Sequence, residues 1–125
     1  MNGLLGQWSD SGYQMAPAYF KQLIKKSHVL ALYDDNTIIG TVTIIEIYKL
    51  SGLKGSVEHL MVDEKYRGRK LGQRLMTFAI AYAKKQKMQT LFLTCESHRA
   101  AATMLYKKLG FAVKDTNFYF LNLKK

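Results

Sequence analysis

At 125 residues, 48% of them apolar and 12% aromatic, the chain has the length and apolar content for a single domain over residues 1–125, and one proline with nine glycines excludes collagen-like and low-complexity chains. Cys95 stands alone, so no internal disulfide can form, and three histidines are too few for a closed zinc site; no apolar run approaches the ~20 residues of a bilayer span, and Met1–Asp10 lacks the basic start of a secretory leader. A cytoplasmic protein with no metal and no membrane partner is therefore expected. Its formal charge of +10 is unevenly placed: residues 1–63 hold five Lys against six acids, net −1, while residues 64–125 hold fourteen Lys and Arg against three acids, net +11. A basic half of this kind attracts nucleic acid, an acidic surface or a phosphorylated small molecule, or else serves solubility.

Taken in chain order, Ala18–Lys26 follows Pro17 and reads as a short helix, with Phe20, Leu23 and Ile24 on one side and Lys21, Lys25 and Lys26 on the other. His28–Tyr33 and Thr37–Tyr48 are rich in Val, Ile, Thr and Tyr around the turn residues Asp34-Asp35-Asn36, the pattern of an antiparallel hairpin, with a bulge expected at Gly40. After a loop over Leu50–Gly55, Ser56–Val62 reads as a third strand. From Leu71 the apolar residues Leu71, Leu75, Phe78, Ile80 and Ala83 recur at helical spacing to about Lys87. Thr90–Cys95 fits a strand buried on both faces. A helix from about His98, with Ala101, Ala102, Leu105 and Leu109 inward, stops at Gly110, and Phe111–Val113 and Asn117–Leu123 read as closing strands. The fold class is α/β: a mixed, mostly antiparallel sheet with one right-handed β-α-β crossover over Ser56–Cys95, flanked by helices.

The most informative segment is Val62-Asp63-Glu64-Lys65-Tyr66-Arg67-Gly68-Arg69-Lys70-Leu71-Gly72, where a strand passes through a basic turn into a helix. Unpaired N–H groups and the positive end of the dipole at a helix start, beside Arg67, Arg69 and Lys70 and the permissive Gly68 and Gly72, suit a pyrophosphate. An ordinary surface turn with solvated cations has the same composition.

Three stretches together resemble the GNAT superfamily of acetyl-CoA dependent N-acetyltransferases. Val57-Glu58-His59-Leu60-Met61-Val62 is similar to the family's central strand, Tyr66-Arg67-Gly68-Arg69-Lys70-Leu71-Gly72 to its pyrophosphate loop, and Leu105-Tyr106-Lys107-Lys108-Leu109-Gly110-Phe111 to its later motif. The resemblance runs from about Val29 to Leu121. It departs at Lys70, where the family's Gln/Arg-x-x-Gly-x-Gly/Ala loop carries its first glycine, and at Arg99, where an asparagine often precedes the tyrosine. A fainter resemblance, through Leu4-Leu5, Ile44-Ile45-Glu46 and Val57-Glu58, is to the glucosamine-phosphate N-acetyltransferases.

What the resemblance implies is an acetyl-CoA dependent enzyme that needs no metal, takes a small-molecule or peptide amine, and is compatible with a homodimer. The strand Leu60, Met61 and Val62 would pair with the pantetheine amides, and Arg67, Gly68, Arg69, Lys70, Leu71, Gly72 and Gln73 would hold the pyrophosphate, with Arg99 and Lys107 toward further phosphate. Tyr106 would protonate the departing thiolate, since a phenol of reference pKa about 10 outlasts a thiol near 8.5; packing beside Leu105 and Leu109 is the plainer role. Glu58 would take the proton of the ammonium, directly or through water, or else pair with a nearby cation, and strand alternation places it with Leu60 and Val62, opposite His59 and Met61. Cys95 is expected in a buried strand. Two other classes stay open. A basic nucleic-acid module would interleave aromatics with its cations, whereas Phe78 and Tyr82 lie at helix-core spacing. A non-catalytic CoA-binding domain of the same fold would share every motif.

Overall fold

The β-branched runs around Asp34-Asp35-Asn36 pair as their pattern dictates. In the computed structural model, which describes residues 17–124, β1 (Ser27–Asp34) and β2 (Thr37–Lys49) form an antiparallel ladder, and Asp35 turns the chain at φ 53°, a left-handed conformation that Asp tolerates. The expected irregularity falls beside Gly40, where the register shifts between Leu32 and Tyr33. Helix α1 (Pro17–Lys26) precedes β1 and is tied to it by the Ser27 hydroxyl, which donates to the Leu23 carbonyl at 2.6 Å. Leu4, Leu5 and Trp8, like the side chains of Phe20, Ile24 and Lys26, lie outside the described residues.

The chain divides into two compact units, Met1–Thr94 and Cys95–Lys125. In the first, β3 (Gly52–Val62) pairs antiparallel with β2, a turn of 3-10 helix (Glu64–Tyr66) leads to α2 (Leu71–Lys85), and β4 (Thr90–Phe92) pairs parallel with β3, giving the strand order β1-β2-β3-β4. The mixed sheet and the parallel pairing of β3 with β4 across α2 are as the sequence predicts. Strand β3 starts earlier than predicted, because Gly52–Gly55 joins the ladder opposite Glu46–Lys49 instead of looping out. A Cβ on Gly55 would stand 2.7 Å from Met88 and from Leu91, so glycine lets the α2–β4 connection lie against the sheet.

The core of this unit lies between one face of the sheet and α2. Val42 and Ile44 are fully enclosed, and opposite them the helix buries Leu75, Met76, Ala79 and Ala83, a narrow stripe at helical spacing. Leu75 reaches to 3.1 Å from where a Gly40 Cβ would sit, so the helix depends on that glycine for its close approach. Phe78, predicted in the core, is 51% exposed and lies under the Arg74 guanidinium at 5.9 Å. The packed stripe runs through Ala79 instead, which leaves Phe78 on the neighbouring facet.

In the second unit, α3 (Ala100–Lys108) ends in two reverse hydrogen bonds, Phe111 N–H to the Tyr106 carbonyl and Gly110 N–H to the Lys107 carbonyl, with Gly110 at φ 100°. This is a Schellman motif, and the Tyr106 and Phe111 rings supply its apolar contact, edge to face at 5.9 Å. The strands predicted over Phe111–Val113 and Asn117–Leu123 do not form. Local contacts take their place, such as Thr116 N–H to the Lys114 carbonyl and Lys124 N–H to the Asn122 side chain, because β-propensity without a ladder partner leaves backbone groups unpaired.

Leu75→Ala removes a side chain that is 1% exposed at the helix–sheet contact, and should cost about 2–5 kcal/mol in urea unfolding with the slope unchanged. A loss under about 1 kcal/mol would show that α2 is not seated on the sheet as described.

Candidate functional site

Strand β3 is flanked unequally. Strand β2 accompanies it along its length, but β4 pairs only with Lys54, Gly55 and Ser56, so from Val57 to Val62 no strand among the described residues pairs with its other edge. Such an edge presents N–H and C=O groups to any extended ligand that can align as a strand would. The same stretch carries a bulge: between the pairs Thr43–Glu58 and Thr41–Met61, two β3 residues, His59 and Leu60, stand against one β2 residue, and His59 sits at φ 50°. The bulge overturns the alternation read from sequence. Glu58 and Met61 share a face because their partners Thr43 and Thr41 do, and Leu60 is not in line with Glu58.

On that face lie the buried Thr41, Thr43 and Ser56 and the half-buried Glu58. The Ser56 hydroxyl donates to Glu58 Oε1 at 2.7 Å, which holds one carboxylate oxygen in place and leaves the other to act. The partner of Glu58 is thus a neutral hydroxyl rather than the cation considered from sequence.

Beyond Val62 the basic turn is pinned at several points. Asp63 N–H donates to the Ile39 carbonyl at 2.7 Å, the Asp63 carboxylate accepts from Lys65 N–H at 3.0 Å, and Arg67 Nε donates to the Val62 carbonyl at 3.3 Å. The Tyr66 hydroxyl donates to the Asp34 carboxylate at the end of β1, an acceptor that raises the pKa of the phenol above its usual value; the Arg69 guanidinium rests 5.2 Å over the Tyr66 ring. Gly68 and Lys70 both take positive φ, at 82° and 59°. Lys70 therefore adopts the left-handed geometry that a glycine would adopt without strain, which accounts for an intact turn despite the departure from the family pattern.

Lys70 is also the N-cap of α2. No side chain caps the helix there and no acid occupies its first turn, while Arg74 N–H returns to the Lys70 carbonyl at 3.1 Å. Helical geometry leaves the amides of Leu71 and Gly72 without intrahelical acceptors, and Arg67, Arg69, Lys70 and Arg74 are exposed around them. Dipole, amides and cations all favour an anion at this point, directly past the stretch of β3 that β4 does not accompany. Gln73 occupies the same first turn. Among the described residues no group of His, Cys, Asp or Glu could hold a metal ion.

The remaining predicted residues belong to the second unit. Tyr106 is half-buried in α3, where burial first, and then the Cys95 sulfur, raise the pKa of its phenol against a lowering by Arg99. Arg99 is the N-cap of α3, its carbonyl accepting from the Thr103 hydroxyl at 3.0 Å, and Lys107 is exposed in the last turn. Cys95 lies past the end of β4 rather than within a strand, with its thiol 3.6 Å from the Glu96 carbonyl. Sequence reasoning missed the Asp34–Tyr66 and Ser56–Glu58 contacts. The second is an i, i+2 pair on one strand face and could have been found from alternation alone; the first joins residues 32 apart with no periodic signal between them.

The profile of the Acetyltransferase (GNAT) family matches residues 3–111. The chain is 29% identical over 90 residues to "Uncharacterized N-acetyltransferase YobR" of Bacillus subtilis, a match over 70% of this chain and 34% of that protein. It is 25% identical over 111 residues to an L-methionine sulfoximine/L-methionine sulfone acetyltransferase of Pseudomonas aeruginosa, covering 85% of this chain and 64% of that one. The chain thus spans about a third of the first relative and under two thirds of the second. Among solved structures, glucosamine-6-phosphate N-acetyltransferase from Arabidopsis thaliana superposes with a TM-score of 0.78 at 19% identity, over 97% of this chain and 88% of that one. A ribosomal-protein-alanine N-acetyltransferase from Brucella melitensis gives 0.79 at 19% identity, over 98% and 89%. At these identities the likeness is one of fold.

Position 70 tests the turn. Lys70→Gly should leave stability unchanged or raise it by up to about 1 kcal/mol, since relief of left-handed strain is offset by a more flexible unfolded chain, while Lys70→Val should lose more than about 1 kcal/mol. Urea midpoints in the reverse order would contradict the left-handed assignment.

Proposed function

As the chain belongs to the GNAT acetyltransferase family, we propose that it transfers an acetyl group from acetyl-CoA to a primary amine by direct attack, with both units acting as one N-acetyltransferase domain. The observation that carries this reading is the edge of β3 from Val57 onward, beside which no strand runs among the described residues, leading into the start of α2, which no side chain caps. The family match supports a single domain because it crosses the boundary between the units. A nucleic-acid module loses one objection, since Phe78 is exposed, but has no use for that edge. The acceptor is best taken as a small amine, in keeping with the amino-acid analogues named for the Pseudomonas relative.

Acetyl-CoA supplies an activated thioester. The backbone of Leu60, Met61 and Val62 aligns the pantetheine as an added strand, and the turn from Arg67 through Gly68, Arg69, Lys70, Leu71 and Gly72 to Gln73 holds the pyrophosphate with amides and cations. Arg99 and Lys107 offer charge to the remaining phosphate. Glu58, steadied by Ser56, accepts a proton from the ammonium directly or through water, which frees the nitrogen lone pair to attack the carbonyl carbon. A backbone N–H near the bulge at Leu60 or Met61 stabilises the oxyanion. As the C–S bond breaks, Tyr106 gives its proton to the thiolate, and the second proton that the nitrogen carries after attack passes through water to the phenolate, leaving a neutral amide. The raised pKa of that phenol keeps it protonated at neutral pH, and the alkaline fall in rate due to its ionisation should lie above pH ~10.

Calorimetry should detect acetyl-CoA binding that weakens as salt rises, with dephospho-CoA weaker than CoA, and an amine panel read as free thiol should give turnover. Absence of binding at millimolar acetyl-CoA would end the proposal. Tyr106→Phe keeps the ring on Phe111 and should lower turnover at least about tenfold with little change in acetyl-CoA affinity. Unchanged turnover, with a pre-steady-state burst ruling out limiting product release, would return Tyr106 to a capping role.

A further inference from the structure

The end of the sheet away from the basic turn is built differently from the rest of the surface. There β2 reverses into β3 through Leu50 and Ser51, with Lys49 paired to Gly52, and the α2–β4 connection lies alongside: Gln89 N–H donates to the Leu53 carbonyl at 2.9 Å, and Lys54 Nζ donates to Gln89 Oε1 at 3.0 Å. Leu50 at the tip is fully exposed, although turn positions favour Gly, Asn or Asp. Tyr48 and Phe92 are also exposed. Register puts them on opposite faces of the sheet, since Tyr48 pairs with Leu53 while Phe92 pairs with Ser56, three residues on, so exposed aromatic rings flank the Leu50 tip on both faces.

Lysines surround this sheet end on both faces. Lys84, Lys85 and Lys87 come from the end of α2 on one face, while Lys54 and Lys49, the latter 5.7 Å over the Phe92 ring, come from the other. No Asp or Glu occurs at residues 47–57 or 65–95. The nearest acid along β2, Glu46, is engaged by His28 Nε2 at 3.2 Å and by the Tyr48 hydroxyl at 3.4 Å.

We infer that this sheet end is a peripheral docking surface for an anionic lipid bilayer. Leu50, Tyr48 and Phe92 enter the headgroup layer, and the lysines meet the lipid phosphates and carboxylates. The type of cation separates this occupant from an acidic protein. Lysine is depleted in protein–protein interfaces, whereas a hydrated charge on a flexible stem suits a diffuse anionic layer; the arginines Arg67, Arg69 and Arg74 all lie toward the opposite end. Among the described residues no helix is long and apolar enough to cross a membrane, so the contact is superficial. Strand β3 separates the docking end from the β3–α2 turn by on the order of 30 Å, which leaves that turn facing the solvent.

The test is co-sedimentation of the full chain with phosphatidylcholine vesicles containing phosphatidylserine and with pure phosphatidylcholine vesicles. The chain should pellet with the first, less so as salt rises, and not with the second. Lys84→Ala/Lys85→Ala/Lys87→Ala should lower the partition coefficient on the order of a hundredfold and Leu50→Ser about tenfold, with Arg69→Ala changing it far less. All these positions are exposed, so urea midpoints should match the parent. Equal pelleting with neutral vesicles, no pelleting with anionic ones, or a triple-lysine variant that pellets like the parent would overturn the proposal. So would a Leu50-dependent dimer in sedimentation equilibrium without vesicle binding, which would assign the surface to a second copy of the chain.

Discussion

Among the described residues, strand β3 has two neighbours over its first residues and one over the rest, and most of what is distinctive in the first unit follows from that change. While β4 runs beside it, Lys54, Gly55 and Ser56 spend their hydrogen bonds in an ordinary parallel ladder. Past Ser56 no strand among the described residues runs beside one edge of β3, and the bulge at His59 and Leu60 alters its register against β2 at the same place. A strand edge with no ladder partner in mid-sheet needs other protein groups, water or a ligand to satisfy its backbone. The hydrophobic contact on the other side, Val42 and Ile44 against Leu75, Met76, Ala79 and Ala83, keeps the strand in position regardless of what occupies the edge.

The turn after β3 shows a second constraint, in which backbone strain is accepted to keep a shape. Lys70 stands in a left-handed conformation at the start of α2, held between the Asp63, Arg67 and Tyr66 contacts and the first helical hydrogen bond. Strain of about 1–2 kcal/mol at one residue persists because several anchors determine the path around it. The charge distribution follows the same geography, with Arg67, Arg69 and Arg74 near the helix start and Lys84, Lys85 and Lys87 gathered where the helix ends.

Much of this was legible in the sequence wherever the signal is local. Asp34-Asp35-Asn36 between β-branched runs specifies the first hairpin, and helical spacing from Leu71 specifies α2. Leu105-Tyr106-Lys107-Lys108-Leu109-Gly110-Phe111 encodes a complete Schellman motif whose apolar pair is Tyr106 with Phe111. What stayed hidden depends on tertiary context. Nothing near His59 announces a bulge, so alternation misplaced Glu58 relative to Leu60 and Met61. Phe78 looks like core in any helical count that takes large side chains first, yet the sheet selects the smaller Ala79 to bring α2 close. The aromatic run Phe118-Tyr119-Phe120 has the propensity of a strand and no ladder among the described residues, which propensity cannot supply.

In the proposed reaction one molecule of acetyl-CoA lies along the edge of β3 and ends on the first turn of α2. Amide hydrogen exchange with and without acetyl-CoA measures this directly, because the backbone groups in question are the ones that exchange. Bound acetyl-CoA should slow exchange within Val57–Val62 and at the start of α2, Leu71–Gln73, with little change across the β1–β2 hairpin. Saturation with acetyl-CoA that leaves both segments exchanging as before, or protects a different strand, would contradict the account.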